Sequence, residues 1–158
     1  MVRGAMAKPL MDAVEIMQVL PHRYPFLFVD RVVEIEKGVS IVAEHLVSMS
    51  DPILQGHFPG NPIVPGVVQV EAMAQTAIML AYASDAFDPK QHLCYFIGIQ
   101  QAKFRAPAVP GETLRISVKA ERLGRVGKFS GEVHGGDELK SSASFTAVIE
   151  PKRQDPAP

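Results

Sequence analysis

Residues 56–84 read GHFPGNPIVPGVVQVEAMAQTAIMLAYAS, and this stretch decides the fold. Its first part, Gly56 to Gly66, is dense in proline and glycine and reads as a stiff loop. From Gly66 to about Ser84 the residues are helix formers without proline or internal glycine. Val67, Val70, Met73, Ala74, Ala77, Ile78 and Ala81 cover most of that helix's surface. A helix that is apolar nearly all round has to be buried. At 1.5 Å per residue it would run about 27 Å, the width of a small domain.

The flanking sequence supplies what would bury it. Asp12 followed by Glu15 has capping-box spacing, so Ala13 to Leu20 reads as a short helix, closed by the stiff turn Pro21 to Pro25. Phe26 to Glu36 is β-rich, Lys37-Gly38 turns, and Val39 to Val47 returns. Beyond the long helix, Leu93 to Phe104 reads as a strand, and Ala106 to Gly111 turns the chain. Apolar residues then alternate from Thr113 to Ala120. Val126 to His134 and Leu139 to Ile149 form a hairpin around Gly135-Gly136-Asp137. The expected class is therefore α+β, with an antiparallel sheet curled around one long buried central helix. Such a sheet leaves edges and apolar surface that a second copy could cover, so at least a dimer is expected. Residues 11–150 read as a single domain, with a flexible N-terminus over 1–10 and a polar, proline-rich tail over 151–158.

Composition narrows the function classes. The 158 residues are 47% hydrophobic, enough for a real core, and the formal net charge of −1 makes no case for nucleic acid. Cys94 is the single cysteine, so no intrachain disulfide can form, which fits a reducing compartment. Met1 to Leu10 carry no continuous apolar run, so no secretory signal is expected. Gln69, Glu71, Gln75 and Thr76 interrupt the longest apolar stretch, which excludes membrane insertion there. The reading is a cytoplasmic protein.

Three residues could carry chemistry. Glu71 lies about two turns into the apolar helix. If buried, its carboxyl would be held protonated by desolvation and could serve as a general acid, although the helix dipole favours the anion. If it lies instead on an exposed polar stripe, it is an ordinary glutamate with Gln75 as its neighbour one turn on. His57 sits in the stiff loop, where an imidazole could act as a pre-organised base. It could equally be a loop histidine bonded to a nearby carbonyl. Gly66 opens the helix, where free N–H groups and the positive helix end can polarise a carbonyl oxygen, or simply meet water. Base, acid and oxyanion donor together suit removal of a proton α to a carbonyl with loss of a β-hydroxyl. The histidines, at 22, 45, 57, 92 and 134, are scattered without HExxH, HxH or CxxC spacing, so no metal site is expected. Gly124 to Lys128 lacks phosphate-loop spacing and reads as a hairpin turn, while Cys94 reads as core.

Leu20 to Arg31, Gly56 to Gly66, Glu71 to Gln75, Phe96 to Ile99 and Phe104 to Gly111 together resemble the FabZ-type (3R)-hydroxyacyl-[acyl-carrier-protein] dehydratases. The likeness extends over nearly the whole chain apart from its ends. It implies a hot-dog fold and dimers, often three assembled as a hexamer. It implies no metal or organic cofactor, and a role in fatty acid and lipid A biosynthesis. The substrate partner it implies is acyl carrier protein bearing a 3-hydroxyacyl thioester. By the same resemblance His57 is the base at C2, Glu71 acts at the C3 hydroxyl directly or through water, and the Gly66 amide holds the thioester carbonyl. His57 would face Glu71 of a second copy. Phe58, Pro59, Val67, Met73, Tyr95 and Phe96 would line the acyl tunnel, with Tyr95 matching a gating tyrosine of some relatives. Glutamate at position 71, where the dehydratase/isomerase branch carries aspartate, implies dehydration without the double-bond shift. Cys94 departs from members that have an aromatic residue there, which leaves the tunnel mouth open to question. Because the carrier protein is acidic, Lys103, Arg105, Arg122, Arg125 and Lys128 are candidate contacts, each also readable as ordinary solvated charge. A hot-dog thioesterase, an enoyl-CoA hydratase and a non-catalytic acyl-thioester sensor remain alternative readings.

Overall fold

The computed structural model describes residues 8–153. Helix α1 spans Ala13–Val19. Strands β1 (Arg31–Glu36) and β2 (Ser40–Leu46) form the first hairpin, followed by a short 3-10 turn at Pro52–Leu54. The long helix α2 spans Gly66–Ala83. Strands β3 (His92–Phe104), β4 (Thr113–Arg122), β5 (Val126–Gly135) and β6 (Glu138–Pro151) complete the chain. All six strands belong to one antiparallel sheet in the order β1-β2-β4-β5-β6-β3. The connection through α2 thus carries the chain from β2 to the far edge of the sheet, and β4 returns beside β2. Helix α2 touches β2, β4, β5, β6 and β3. The sheet wraps the helix, as a hot-dog fold requires.

The wrapping follows from period-2 burial. Strands β2, β4 and β5 alternate buried and less buried residues, so Ile41, Ala43, Leu114, Ile116, Val118, Phe129 and Val133 share the face toward α2. Met73, Met79 and Leu80 on the helix are completely buried. Gly131 on β5 allows the close approach: a Cβ there would lie 2.9 Å from Met73 Sδ. Helix α1 starts as its sequence dictates. The Asp12 carboxylate accepts the Val14 and Glu15 N–H groups, and the Glu15 carboxylate accepts the Asp12 N–H.

The first strand is shorter than its β-rich sequence predicts, beginning at Arg31 rather than Phe26. The cause is Gln75 of α2, which is fully buried. Its amide nitrogen donates to Phe26 O (2.9 Å) and its oxygen accepts the Phe28 N–H (2.8 Å). A helix side chain therefore satisfies backbone groups that a neighbouring strand would otherwise pair. At the ends, Leu10 and Met11 N–H both donate to Val32 O, β6 runs on to Pro151, and Lys152 N–H donates to Gln91 O. The remainder of the two expected tails, residues 1–7 and 154–158, lies outside the described residues. No helix of the described residues is long and apolar enough to cross a membrane.

The edge strand β3 is paired on one side only, by β6. It nevertheless carries exposed Tyr95, Ile97, Ile99 and Phe104. An apolar, unpaired edge of thirteen residues is a surface that water does not favour.

Met73 sits at the centre of this core. Met73→Ala is expected to lower unfolding free energy by about 2–5 kcal/mol, read from urea denaturation at fixed protein concentration, with the secondary structure retained by circular dichroism.

Candidate active site

The loop that carries His57 is knitted to itself. Phe58 N–H donates to Asn61 O (3.0 Å), Asn61 N–H returns to Phe58 O (2.9 Å), and Ile63 N–H donates to His57 O (2.9 Å). Gly56 and Gly60 take φ values of 80° and 76°, a region open to glycine at little cost. The imidazole Nδ1 lies 3.2 Å from Ile63 O. A carbonyl can only accept, so the proton belongs on Nδ1 and Nε2 is left with a free lone pair. His57 is thus both the loop histidine bonded to a carbonyl and a histidine whose other nitrogen is available as a base.

The same loop delivers Pro65 to the start of α2, where no side chain caps the helix. The Val68 and Gln69 N–H groups turn back to Pro65 O. Gln69, buried, accepts the Ser141 hydroxyl (2.6 Å) and so ties the helix start to β6. His57, Gly66, Val67 and Gln69 line one cleft together with Phe104 and Arg105. The absent side chain at Gly66 is filled from within the chain, since a Cβ there would lie 2.6 Å from the Phe104 ring. The far wall of this cleft is held by Lys140. Its carbonyl accepts the Arg105 N–H (2.7 Å), and its buried ammonium pairs with Glu112 (2.8 Å) and Glu138 (2.6 Å).

Glu71 lies elsewhere. Five residues along an α-helix turn the direction of the side chain by about 140°, so Glu71 leaves α2 on a face far from Gly66. There it lines a second cleft, a narrow slot of about 50 Å³ between α2 and the sheet, with no lining residue in common with the first. His22, Ala74, Ala77, Ile78 and Ala81 line it on one side, and Cys94, Tyr95 and Phe96 of β3 on the other. Burial raises the carboxyl pKa, and a hydrogen bond from Gln75 Nε2 (2.9 Å) partly offsets that. His22 Nε2 stands 3.4 Å from the same Oε1 atom. Burial, with help from the neighbouring Arg23 charge, pulls the His22 pKa down. The Cys94 thiol is pushed up to about 11 by burial and by the Glu71 carboxylate, so it stays protonated and is no nucleophile at neutral pH.

The expected tunnel residues divide. Tyr95 and Phe96 line the Glu71 slot, and Val67 lines the His57 cleft. Phe58 and Pro59 are exposed and lie outside both, while Met73 is fully buried under β5. The slot's apolar floor, Ala74, Ile78 and Ala81 stepping from Glu71 at helical spacing, was present in the sequence as an i, i+3, i+7, i+10 face. Of the basic candidates, Arg125 pairs with Glu150 (2.8 Å), Lys128 pairs with Glu121 (3.1 Å), and Arg122 Nε donates to Val126 O (3.1 Å). Arg105 borders the His57 cleft, and Lys103 is exposed on the same strand end. Among the described residues, no group of three or more His, Cys, Asp or Glu side chains is placed to hold a metal ion.

The FabA-like domain family matches residues 20–144. The 3-hydroxyacyl-[acyl-carrier-protein] dehydratase FabZ of Myxococcus xanthus is 42% identical over 148 residues, spanning 93% of this chain and 97% of the relative. The protein of the same name from Chloroflexus aggregans is 47% identical over 141 residues, spanning 88% and 96%. Among solved structures, the dehydratase heterocomplex ApeI:P from Xenorhabdus doucetiae superposes with a TM-score of 0.71 at 18% identity, covering 85% of this chain and 90% of that one. A Streptococcus mutans protein bound to acetyl CoA gives 0.60 at 20% identity, covering 84% and 96%. At those identities the two structures bear on the fold alone.

The raised Glu71 pKa has a consequence for stability. The unfolded chain ionises this carboxyl near its ordinary value of 4.5, the folded chain only at higher pH. Stability is therefore lost as pH rises between the two values, and the deficit persists above them. Glu71→Gln should melt above the wild type at neutral pH, with the difference shrinking as the pH falls toward 4.5 and gone below it; thermal melts from neutral pH to below 4.5 check it.

Proposed function

The chain belongs to the FabA-like family and, within it, to the FabZ-type 3-hydroxyacyl-[acyl-carrier-protein] dehydratases, which are hydro-lyases of fatty acid biosynthesis, and from that premise we propose how its residues divide the reaction. The substrate is a (3R)-3-hydroxyacyl thioester of acyl carrier protein, and the products are the trans-2-enoyl thioester and water. His57 Nε2 removes a proton from C2. The electron pair moves into the C2–C3 bond as the C3–O bond breaks. Glu71, protonated beforehand, gives its proton to the departing hydroxyl. The Gly66 N–H, at the positive end of α2, polarises the thioester carbonyl and stabilises the charge that gathers there. The cycle closes when His57 returns a proton to solvent and Glu71 regains one.

The observation that carries this assignment is the pairing of states. The imidazole is bonded to Ile63 O through Nδ1, leaving a free base, whereas burial favours the proton on Glu71. A free base and a held acid are what an elimination of water needs. The two groups line opposite faces of one helix, so the reading requires a second copy to bring His57 of one protomer to Glu71 of the other. The exposed apolar edge of β3 supports such a dimer. Three dimers in a hexamer is the assembly the family resemblance suggests.

In this reading residues 11–150 form the catalytic domain. Tyr95 and Phe96 border the mouth of the acyl slot, with Cys94 beside them in place of an aromatic ring. The acidic carrier protein docks toward Arg105 and Lys103, which have fewer commitments to their own fold than Arg122, Arg125 and Lys128. The protein would act in the cytoplasm, alongside the carrier.

His57→Ala and Glu71→Gln should each reduce kcat on a 3-hydroxyacyl carrier-protein thioester by about 10²–10⁴-fold, followed as enoyl absorbance. Release of free thiol in place of enoyl product would instead put the protein with the thioesterases. Mixing His57→Ala with Glu71→Ala subunits under exchange conditions should restore roughly a quarter of wild-type activity, because half the dimers are mixed and each has one intact site. No recovery despite demonstrated exchange would count against the shared site.

A further inference from the structure

His22 has no part in the reaction as described, yet it borders the same slot as Glu71 and faces its carboxyl group. Its place in the fold is well determined. The following residue, Arg23, donates to three carbonyls, Leu20 O (2.8 Å), His22 O (2.7 Å) and Met17 O (2.9 Å), which pins the turn to the end of α1. The Phe26 ring stacks on the imidazole with centroids 6.3 Å apart. Phe26 O is held in turn by Gln75, the residue that also donates to Glu71.

We propose that His22 is a positioning residue for Glu71: Gln75 donates to Oε1 and the His22 ring lies against the same atom, so that Oε2 is the oxygen that carries the proton and presents it to the substrate. The inference rests on the dehydratase reading above and extends it to a residue outside the reacting pair. Two distances carry it, 2.9 Å from Gln75 Nε2 to Oε1 and 3.4 Å from His22 Nε2 to the same atom. The orientation of the Gln75 amide is unambiguous, since its nitrogen serves Phe26 O and its oxygen serves the Phe28 N–H. The second is a close approach without hydrogen-bond geometry, so His22 steers the carboxyl group rather than clamping it. An oxygen that already accepts the Gln75 N–H and has His22 Nε2 beside it is the poorer place for a proton. Burial keeps the imidazole neutral with a single N–H, and that proton belongs on Nε2, which faces an acceptor. Nδ1 is then a bare lone pair, and it is buried without a hydrogen-bond partner among the described residues.

The other groups around this carboxyl group do not compete for the role. The Cys94 thiol, from β3, is neutral at working pH. Tyr95, also on β3, borders the slot and is half exposed. The Arg23 guanidinium is turned toward α1. In the proposed dimer His57 of the second copy arrives as well, as the base of the reaction.

His22→Phe keeps an aromatic ring in place and removes the N–H. The expected result is a fall in kcat of about tenfold, with KM within about twofold. The basic limb of the kcat–pH profile should move to higher pH, because the Glu71 anion loses a polar neighbour. A ¹³C-carboxyl titration of Glu71, assigned against Glu71→Gln, should move the same way. His22→Gln, which retains an N–H, should recover part of the rate and of the titration. Unchanged kcat and profile, or a loss of rate with the Glu71 titration unmoved, would overturn the inference. A measurement on the wild-type protein stands independently of any variant's folding: ¹⁵N shifts of His22 should report a neutral ring protonated at Nε2. A charged ring, or one protonated at Nδ1, would equally overturn it. Failure of the wild type to dehydrate its thioester would sink the reading of function and leave this tautomer measurement standing.

Discussion

Helix α2 is the constraint on which the rest depends. Eighteen residues that are apolar on almost every face cannot be covered by one neighbour, so a six-stranded sheet has to curl around them. The cost of this burial falls on the polar residues the helix still contains. Gln69, Gln75 and Thr76 are all buried, and each has a partner: Ser141, the Phe26–Phe28 backbone, and Ala72 O respectively. Only Glu71 keeps a partly open position beside a slot, and it is the residue proposed to supply the proton.

The helix also explains why the candidate site is divided. Its start, which has no side-chain cap, lines the His57 cleft, and its second turn carries Glu71 to the other. A rigid helix cannot bring these two positions into one cleft, which is why the proposed reaction needs a second copy. The apolar edge of β3 is exposed and needs cover.

Much of this could be read from the residues in order. The capping box at Asp12 and Glu15, the uninterrupted helix after Pro65 and the alternation in β4 and β5 are local patterns, and each formed where its pattern lay. What the local patterns do not carry comes from long-range contacts. Phe26 and Phe28 lie in a β-rich run, but their backbone groups are held by Gln75, 47 residues from Phe28. Met73, expected to line the tunnel, is fully buried against Gly131. Arg125 and Lys128, candidate carrier contacts or ordinary solvated charge, pair with Glu150 and Glu121. His22 stood in the quoted family motif without a chemical role, because nothing in its neighbourhood of sequence mentions a carboxyl group 49 residues away.

The sequence by itself determined the elements, the α+β class and the family, because helix and strand periods and a long Pro/Gly motif are properties of neighbouring residues. Only the tertiary structure decided which way Glu71 faces, which of its oxygens is taken by donors, and that His57 and Glu71 line different clefts. Those are matters of direction around a helix axis and of partners brought from distant strands, and no local pattern encodes them.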